Sequence, residues 1–319
     1  MKKYKIAILD DYQNAALDSA DWSPLRDRAD IAVFQDHLAD ADAVIERLLP
    51  FDIICVMRER TPLTRRVIEH LPNLKLIAST GPVNASIDLA AAADRAVAVA
   101  HTGYRSDPAI ELTWALILAS ARNIVMENGS IRSGGWQQTV GADLNGKTLG
   151  VLGLGRIGSQ IARIGSAFGM KLIAWSQNMT PETAKAAGAC MVSKERLFEQ
   201  ADILTIHLVL SSRTRGLVGA AELGRMKPTA RLINTSRGPI VDEQALIDVL
   251  NKCQIAGAAV DVFDIEPLPA SHPFRTLDNV LATPHIGYVS RGLYRTFYED
   301  TVTNIRAWLD AQSSGTGST

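Results

Sequence analysis

The chain has 319 residues, 47% of them hydrophobic, and a formal net charge of −1. That is enough apolar material for a large core and favours two domains over one. The near-neutral balance excludes a global attraction to nucleic acid or an anionic membrane, so a charged ligand has to be met by local groups.

In chain order, MKKYKIAILDD at the N-terminus offers only a strand-length apolar run ending in acids, too short for an export signal, and the cytoplasm is the expected location. Short β-branched runs then alternate with helix-length segments, the pattern of βαβ units and parallel sheets. The first series has strands at 5–9, 31–34, 52–57, 74–79 and 97–100. An amphipathic helix is expected at 108–125; its most apolar part, LTWALILASA at 112–121, falls far short of the roughly 20 residues that span a bilayer. The second series, at 148–155, 171–175, 202–208, 230–236, 256–263 and 280–284, is a six-strand Rossmann pattern, and a last helix near 293–309 returns to the first series. The expected fold is α/β: two doubly wound parallel-sheet lobes, a flavodoxin-like substrate lobe (1–101 with 289–319) and a Rossmann cofactor lobe (102–288), with a cleft between them. The terminal SSGTGST has the composition of a disordered tail. Cys55, Cys190 and Cys253 have no CxxC spacing and sit among apolar neighbours, which predicts buried, reduced thiols.

The run VLGLGRIGSQIA puts Gly153, Gly155 and Gly158 in GxGxxG spacing, after a strand and at the opening of a helix. Gly153 suits the tight turn, Gly155 the close approach of a pyrophosphate and Gly158 the packing of helix on strand, while Arg156 adds a positive charge. The alternative, a glycine-rich turn that binds nothing, is disfavoured by that strand–turn–helix context. About twenty residues on, LIAWSQNMT carries Ser176 and Gln177 where an acid usually meets the adenosine ribose. Ser176 and Gln177 can bond to a hydroxyl or a phosphate and repel neither, and no cation follows before Lys185. NAD use with tolerance of NADP is expected.

Three later segments carry potential chemistry. Arg237 in LINTSRGPIVDEQAL, Glu266 in DVFDIEPLP and His285 in ATPHIGYVS each follow a strand end. Taken singly, each has a plainer reading: a surface arginine, a solvated acid, a structural histidine. The case for a site rests on all three leaving consecutive strands together. A reaction that builds negative charge on a carbonyl oxygen calls for a cation and a proton donor that converge there. Arg237 and His285 are of those types, and a carboxylate such as Glu266 favours the protonated ring. No metal-ligand spacing appears, so the chemistry calls for no metal.

Together with RTPLT and LPNLKLIASTG in the first lobe, these motifs resemble the D-isomer-specific 2-hydroxyacid dehydrogenase family, in its order and spacing over essentially the whole chain. The resemblance implies that Arg237 binds the substrate carboxylate and polarises the carbonyl, that His285 moves the proton and that Glu266 is its partner. It implies Thr235 and Asp261 at the nicotinamide amide, and Ile157, Ser176, Gln177 and His207 beside the glycine fingerprint in the cofactor site. Backbone amides of the STGPVNASID loop, at Gly81 and Val83, would take the substrate carboxylate. Pro82 removes one donor from that loop. Arg58 is read two ways, as a receiver of an acidic side group and as an exposed charge; Arg60 is open in the same way. Tyr104, Tyr288 and Tyr294 either line a pocket or pack the hinge helices. A homodimer through the helix at 108–125 and the segment with Trp136 is implied as well. Glyoxylate, hydroxypyruvate and 3-phosphoglycerate chemistry all fit the pattern, whereas Glu266 argues against formate dehydrogenase, which pairs its histidine with glutamine. The alternative from another class is an NADH-sensing corepressor-like interaction protein with little turnover.

Overall fold

The structure, a computed structural model, describes residues 3–315. Its contacts divide the chain into two units, 1–105 with 289–319, and 106–288. The first unit is built on β1 (Tyr4–Ile8), β2 (Ala29–Val33), β3 (Ile53–Val56), β4 (Leu76–Ser79) and β5 (Ala98–His101), an all-parallel sheet in the order β2-β1-β3-β4-β5. IICV in β3 and LIAS in β4 are buried at every position, as strands covered on both faces must be. Three helices fill the crossovers, α1 (Ala41–Leu48), α2 (Arg65–Glu69) and α3 (Leu89–Asp94).

The second unit opens with α4 (Asp107–Ala121) and α5 (Ile124–Arg132) and then alternates strands with helices. These are β6 (Thr148–Leu152), α6 (Arg156–Ala167), β7 (Lys171–Trp175), α7 (Pro181–Ala186), β8 (Cys190–Met191), α8 (Lys194–Gln200), β9 (Ile203–Ile206), α9 (Ala220–Leu223), β10 (Arg231–Asn234), α10 (Glu243–Asn251), β11 (Gly257–Val260) and β12 (Val280–Ala282). Their sheet is parallel throughout, in the order β12-β11-β10-β9-β6-β7-β8. α11 (Arg291–Gly315) then returns to the first unit, where it packs on β4 and β5.

Each sheet reverses its order once, at β1/β3 in the first unit and at β6/β9 in the second. Open parallel sheets take ligands at the carboxyl ends of the strands flanking such a reversal.

Four expectations are corrected. The second sheet has seven strands: β8, two residues long at the sheet edge, is too short to register as a periodic run. The helix expected at 108–125 ends at Ala121, because Asn123 takes a left-handed conformation (φ 49°) and the chain bends by 64° into α5. α4 buries Ile110, Thr113, Trp114, Leu116, Ile117, Ser120 and Ala121 along one side. Cys55 is buried, and burial pushes its thiol up to about 12, but Cys190 and Cys253 are exposed, one on the edge strand and one in a turn at φ 49°. Finally, helix α11 runs through Ser313 to Gly315, and the rest of the SSGTGST segment lies outside the described residues. Among the described residues no single helix is long and apolar enough to cross a membrane.

Candidate active site

The glycine fingerprint follows β6 at the reversal of the second sheet. Gly153 has φ 100°, and a Cβ there would lie 2.6 Å from the carbonyl oxygen of His207, so only glycine fits. A Cβ on Gly158 would lie 2.1 Å from the oxygen of Gly153, which seats α6 directly on its own entry turn. Gly155 behaves differently: a Cβ would meet nothing within 4 Å. α1, α2, α3, α7, α8 and α10 each start on a Ser, Thr or Asp whose side chain accepts from the helix backbone, whereas Gly155 gives α6 no side-chain cap. The first N–H groups of a 12-residue helix thus face open space, with exposed Arg156 beside them. That arrangement fits the pyrophosphate of a dinucleotide.

The other expected cofactor residues lie on the same sheet edge. Ile157, in the first turn of α6, is half-buried and packs against the core. Ser176 and Gln177 follow β7, whose last carbonyl, on Trp175, accepts from Gly153 N (2.9 Å); Ser176 is half-buried and Gln177 exposed. His207 follows β9, its Nε2 lies 2.8 Å from Thr205 Oγ1, and burial pushes its pKa down to about 3, so the ring is neutral at physiological pH. Thr235 Oγ1 pairs with Thr113 Oγ1 of α4 at 2.8 Å.

β10, β11 and β12 are neighbours, and the proposed chemistry leaves their carboxyl ends. At the end of β10, buried Asn234 donates Nδ2 to the carbonyl of Arg237 (3.0 Å) and accepts from Ser236 N (3.1 Å), folding the turn that presents Arg237. Arg237 Nη1 donates to Ser236 O at 2.8 Å. A Cβ on Gly238 would lie 2.2 Å from the carbonyl carbon of Phe263, so the Arg237 turn abuts the loop after β11 backbone to backbone. In that loop Glu266 Oε1 accepts from Phe263 N (2.9 Å), and Oε2 lies 2.5 Å from His285 Nδ1. Glu243, at the start of α10, braces the same loop by accepting from Asp264 N (3.2 Å) and pairing with His272 Nε2 (3.0 Å).

His285 itself stands at φ 52°, a conformation few residues adopt, and Asp261 over-determines it. Only 1% exposed, Asp261 accepts from Thr283 Oγ1 (2.6 Å), Ile286 N (2.8 Å) and Gly287 N (2.8 Å), three groups of the loop that bears His285. Burial raises its pKa against those hydrogen bonds.

In the first unit, Arg58 follows β3 at the sheet reversal, with φ 52°. Its N donates to Thr80 Oγ1 (2.8 Å) and its carbonyl accepts from Asn84 Nδ2 (2.6 Å). Gly81 departs from the expectation that its amide meets a substrate: Gly81 N donates to Thr102 Oγ1 at 2.7 Å. Val83 is 69% exposed. Arg60 Nη1 donates to Asp10 O at 2.6 Å. Tyr288 and Tyr294 are buried packing residues, while Tyr104 lies under the Arg58 guanidinium at 5.5 Å.

The sequence reading missed Asn84, Thr102, Asn234 and Glu243. The only signal in the chain for Thr102 and Asn234 is a polar residue at the end of an apolar strand; Asn84, further along the loop after β4, and Glu243 had none. Among the described residues no group of three or more His, Cys, Asp or Glu is placed to hold a metal.

Residues 114–287 match the sequence profile of the D-isomer specific 2-hydroxyacid dehydrogenase, NAD binding domain. A glyoxylate reductase of Aeropyrum pernix is 42% identical over 245 residues, 72% of this chain and 73% of that protein. A D-3-phosphoglycerate dehydrogenase of Methanocaldococcus jannaschii is 38% identical over 250 residues, but the chain spans about half (47%) of that protein's length. Among solved structures, a phosphoglycerate oxidoreductase of Vibrio cholerae gives a TM-score of 0.92 at 38% identity, covering 97% of this chain and 99% of that one.

Proposed function

The chain belongs to the D-isomer-specific 2-hydroxyacid dehydrogenase family and is a nicotinamide-dependent oxidoreductase; from that premise we propose that it reduces small 2-oxo acids of the glyoxylate and hydroxypyruvate type with Arg237, Glu266 and His285. A bound nicotinamide supplies the hydride. Arg237 holds the carboxylate of the acid and faces the negative charge that grows on the C2 oxygen. Glu266 holds His285 by Nδ1, which leaves Nε2 to deliver the proton to that oxygen, or to take it back in the oxidative direction. The observation that carries the reading is the 2.5 Å contact between Glu266 and His285 at the ends of neighbouring strands.

NAD is the expected cofactor, with NADP tolerated. Ser176 puts no charge where a carboxylate would repel a 2′-phosphate, and no Arg or Lys stands between Ser176 and Lys185 to attract one. A homodimer is supported by α5, which has no buried residue and exposes Ile124, Val125, Met126 and Ile131, with Trp136 70% exposed just beyond. So much exposed apolar surface suits burial against a second copy.

The test is a matrix of 2-oxo acids against NADH and NADPH at subsaturating concentrations, followed at 340 nm. Turnover of glyoxylate or hydroxypyruvate is expected; a flat trace across the panel refutes the substrate reading, and a strong preference for NADPH refutes the cofactor reading. Light scattering giving a monomer mass refutes the dimer.

A further inference from the structure

Glu266 reaches His285 from a stretch of chain that packing does little to fix. Asp264, Ile265, Glu266 and Pro267 are all exposed, and the nearest buried apolar side chains on either side are Phe263 and Phe274. A carboxylate on so lightly packed a loop has to be positioned by polar ties. Glu243 supplies two of them from a fixed point. It is the first residue of α10, a helix capped by Asp242 and seated by buried Leu246, Ile247, Val249 and Leu250. Its Oε2 accepts from Asp264 N (3.2 Å), just before Glu266, and its Oε1 meets His272 Nε2 (3.0 Å), well beyond it. One carboxylate therefore closes both ends of the loop that carries the other. The contact with His272 is also well sheltered, its side chains being 12% exposed at His272 and 20% at Glu243, which strengthens it over a surface pair. The His272 ring is oriented in turn by the short helical turn Pro273–Arg275 that it caps: Phe274 N donates to Nδ1 (3.2 Å). In the neutral ring that leaves the proton on Nε2, which donates to Glu243. His285 carries its proton on the opposite nitrogen, since Nδ1 faces Glu266 Oε2 at 2.5 Å.

We propose that Glu243 and His272 are positioning residues for the proton transfer: they hold the loop at 264–272 so that Glu266 meets His285 Nδ1, and the Nε2–H of His272 keeps the Glu243 carboxylate turned toward that loop. The inference rests on the proton-transfer role read for His285 above. All five residues, Glu243, Asp264, Glu266, His272 and His285, belong to the second unit. Neither Glu243 nor His272 touches the reacting atoms, so their effect passes through Glu266. A displacement of about 1 Å at a catalytic group costs about a hundredfold in rate, which places the effect in kcat and leaves binding nearly untouched.

The experiment compares His272→Asn, His272→Gln and Glu243→Ala with the unaltered protein. An asparagine amide reaches the place of Nδ1 and keeps the cap on Phe274, whereas a glutamine amide reaches the place of Nε2 and keeps the donor to Glu243. His272→Asn and Glu243→Ala are expected to lower kcat for glyoxylate with NADH by about 10–100-fold, with KM and the Kd of NADH within about threefold. His272→Gln is expected to stay within about threefold in all three constants. A role confined to capping or packing moves the His272 variants together or the other way, so equal losses in both, or a loss in His272→Gln alone, overturn the proposal. A kcat within about twofold in Glu243→Ala, or a matching loss of NADH affinity, overturns it too. Magnetic resonance of isotope-labelled histidine in the cofactor-free protein, assigned with His285→Ala, gives a readout that needs no turnover. The neutral His285 ring is expected to carry its proton on Nδ1 in the unaltered protein and in His272→Gln, and on both nitrogens in part in His272→Asn and Glu243→Ala. If the unaltered protein turns over no 2-oxo acid, the functional reading fails by itself. The His285 tautomer then still decides the positioning role, and a ring unchanged in all three variants overturns it.

Discussion

Asp261→Asn separates the loop-holding role of Asp261 from any contact with cofactor. In the folded protein Oδ1 accepts from Thr283 Oγ1 and Ile286 N, and Oδ2 accepts from Gly287 N. An asparagine has one oxygen, so in one orientation it leaves the Gly287 N–H facing an amide donor, and in the other it orphans two groups. One buried unsatisfied donor costs about 1–3 kcal/mol. Working against this, burial already disfavours the ionised aspartate, and a neutral side chain relieves that strain, which moves the expectation to the lower half of the range. For a unit spanning 106–288 this predicts a melting temperature lower by about 2–8 °C. The freed loop carries His285 out of its φ 52° conformation, and a displacement of about 1 Å from Glu266 is enough for about a hundredfold loss of kcat. The assay is calorimetric melting of the cofactor-free variant together with single-turnover kinetics. An unchanged melting temperature with lost cofactor affinity would show that Asp261 serves the cofactor and does not hold the loop.

Four further outcomes are expected. His285→Ala should lose about 10²–10⁴ in turnover with cofactor affinity within a few fold, and collapse of cofactor binding would make His285 structural. Gly238→Ala forces a methyl to within 2.3 Å of Phe263 backbone atoms, so kcat should drop at least about tenfold at little change in cofactor Kd; near-normal kcat would sever the link between the Arg237 turn and the Glu266 loop. His207 is held at about 3 against 6.5 in the unfolded chain, so the unfolded state binds the extra proton: stability is full above pH 6.5 and falls by up to about 1.4 kcal/mol per pH unit as pH drops below it, an effect His207→Gln should flatten in urea titrations. Asp264 is raised by burial and then by Glu243, so its ionisation weighs against folding once pH exceeds the ordinary aspartate value; Asp264→Asn should stabilise the protein at neutral pH, and the gain should vanish in acid.

The strands were legible because buried parallel strands are unbroken apolar runs, and IICV, LIAS and ILTI announce themselves as such. The glycine fingerprint was legible because its backbone demands are local: the φ of Gly153 and the fit of Gly158 onto Gly153 both fall within six residues. The 2.5 Å pairing of Glu266 with His285, 19 positions apart, followed from both leaving strand ends. What stayed hidden depends on partners far along the chain. Thr102 takes the Gly81 amide from 21 positions away, and Glu243 reaches His272 across 29, with nothing in the local pattern to mark either. The break at Asn123 was obscured because apolar residues resume directly after Arg122 and Asn123, at Ile124 and Val125. The thiols of Cys190 and Cys253 were misjudged because apolar neighbours in sequence do not bury a residue on an edge strand or in a turn.

Helix α11 closes the first unit from the far end of the chain, burying Leu293, Phe297, Tyr298, Ile305 and Leu309. On a ribosome, which feeds out the chain N-terminus first, the five strands of that unit emerge early but stay without this cover until the second unit and α11 have been made as well. The second unit, one uninterrupted segment, can fold in the meantime. Nascent chains of this protein therefore pass through a stage in which the second unit is complete in sequence while the sheet of the first still lacks its last helix.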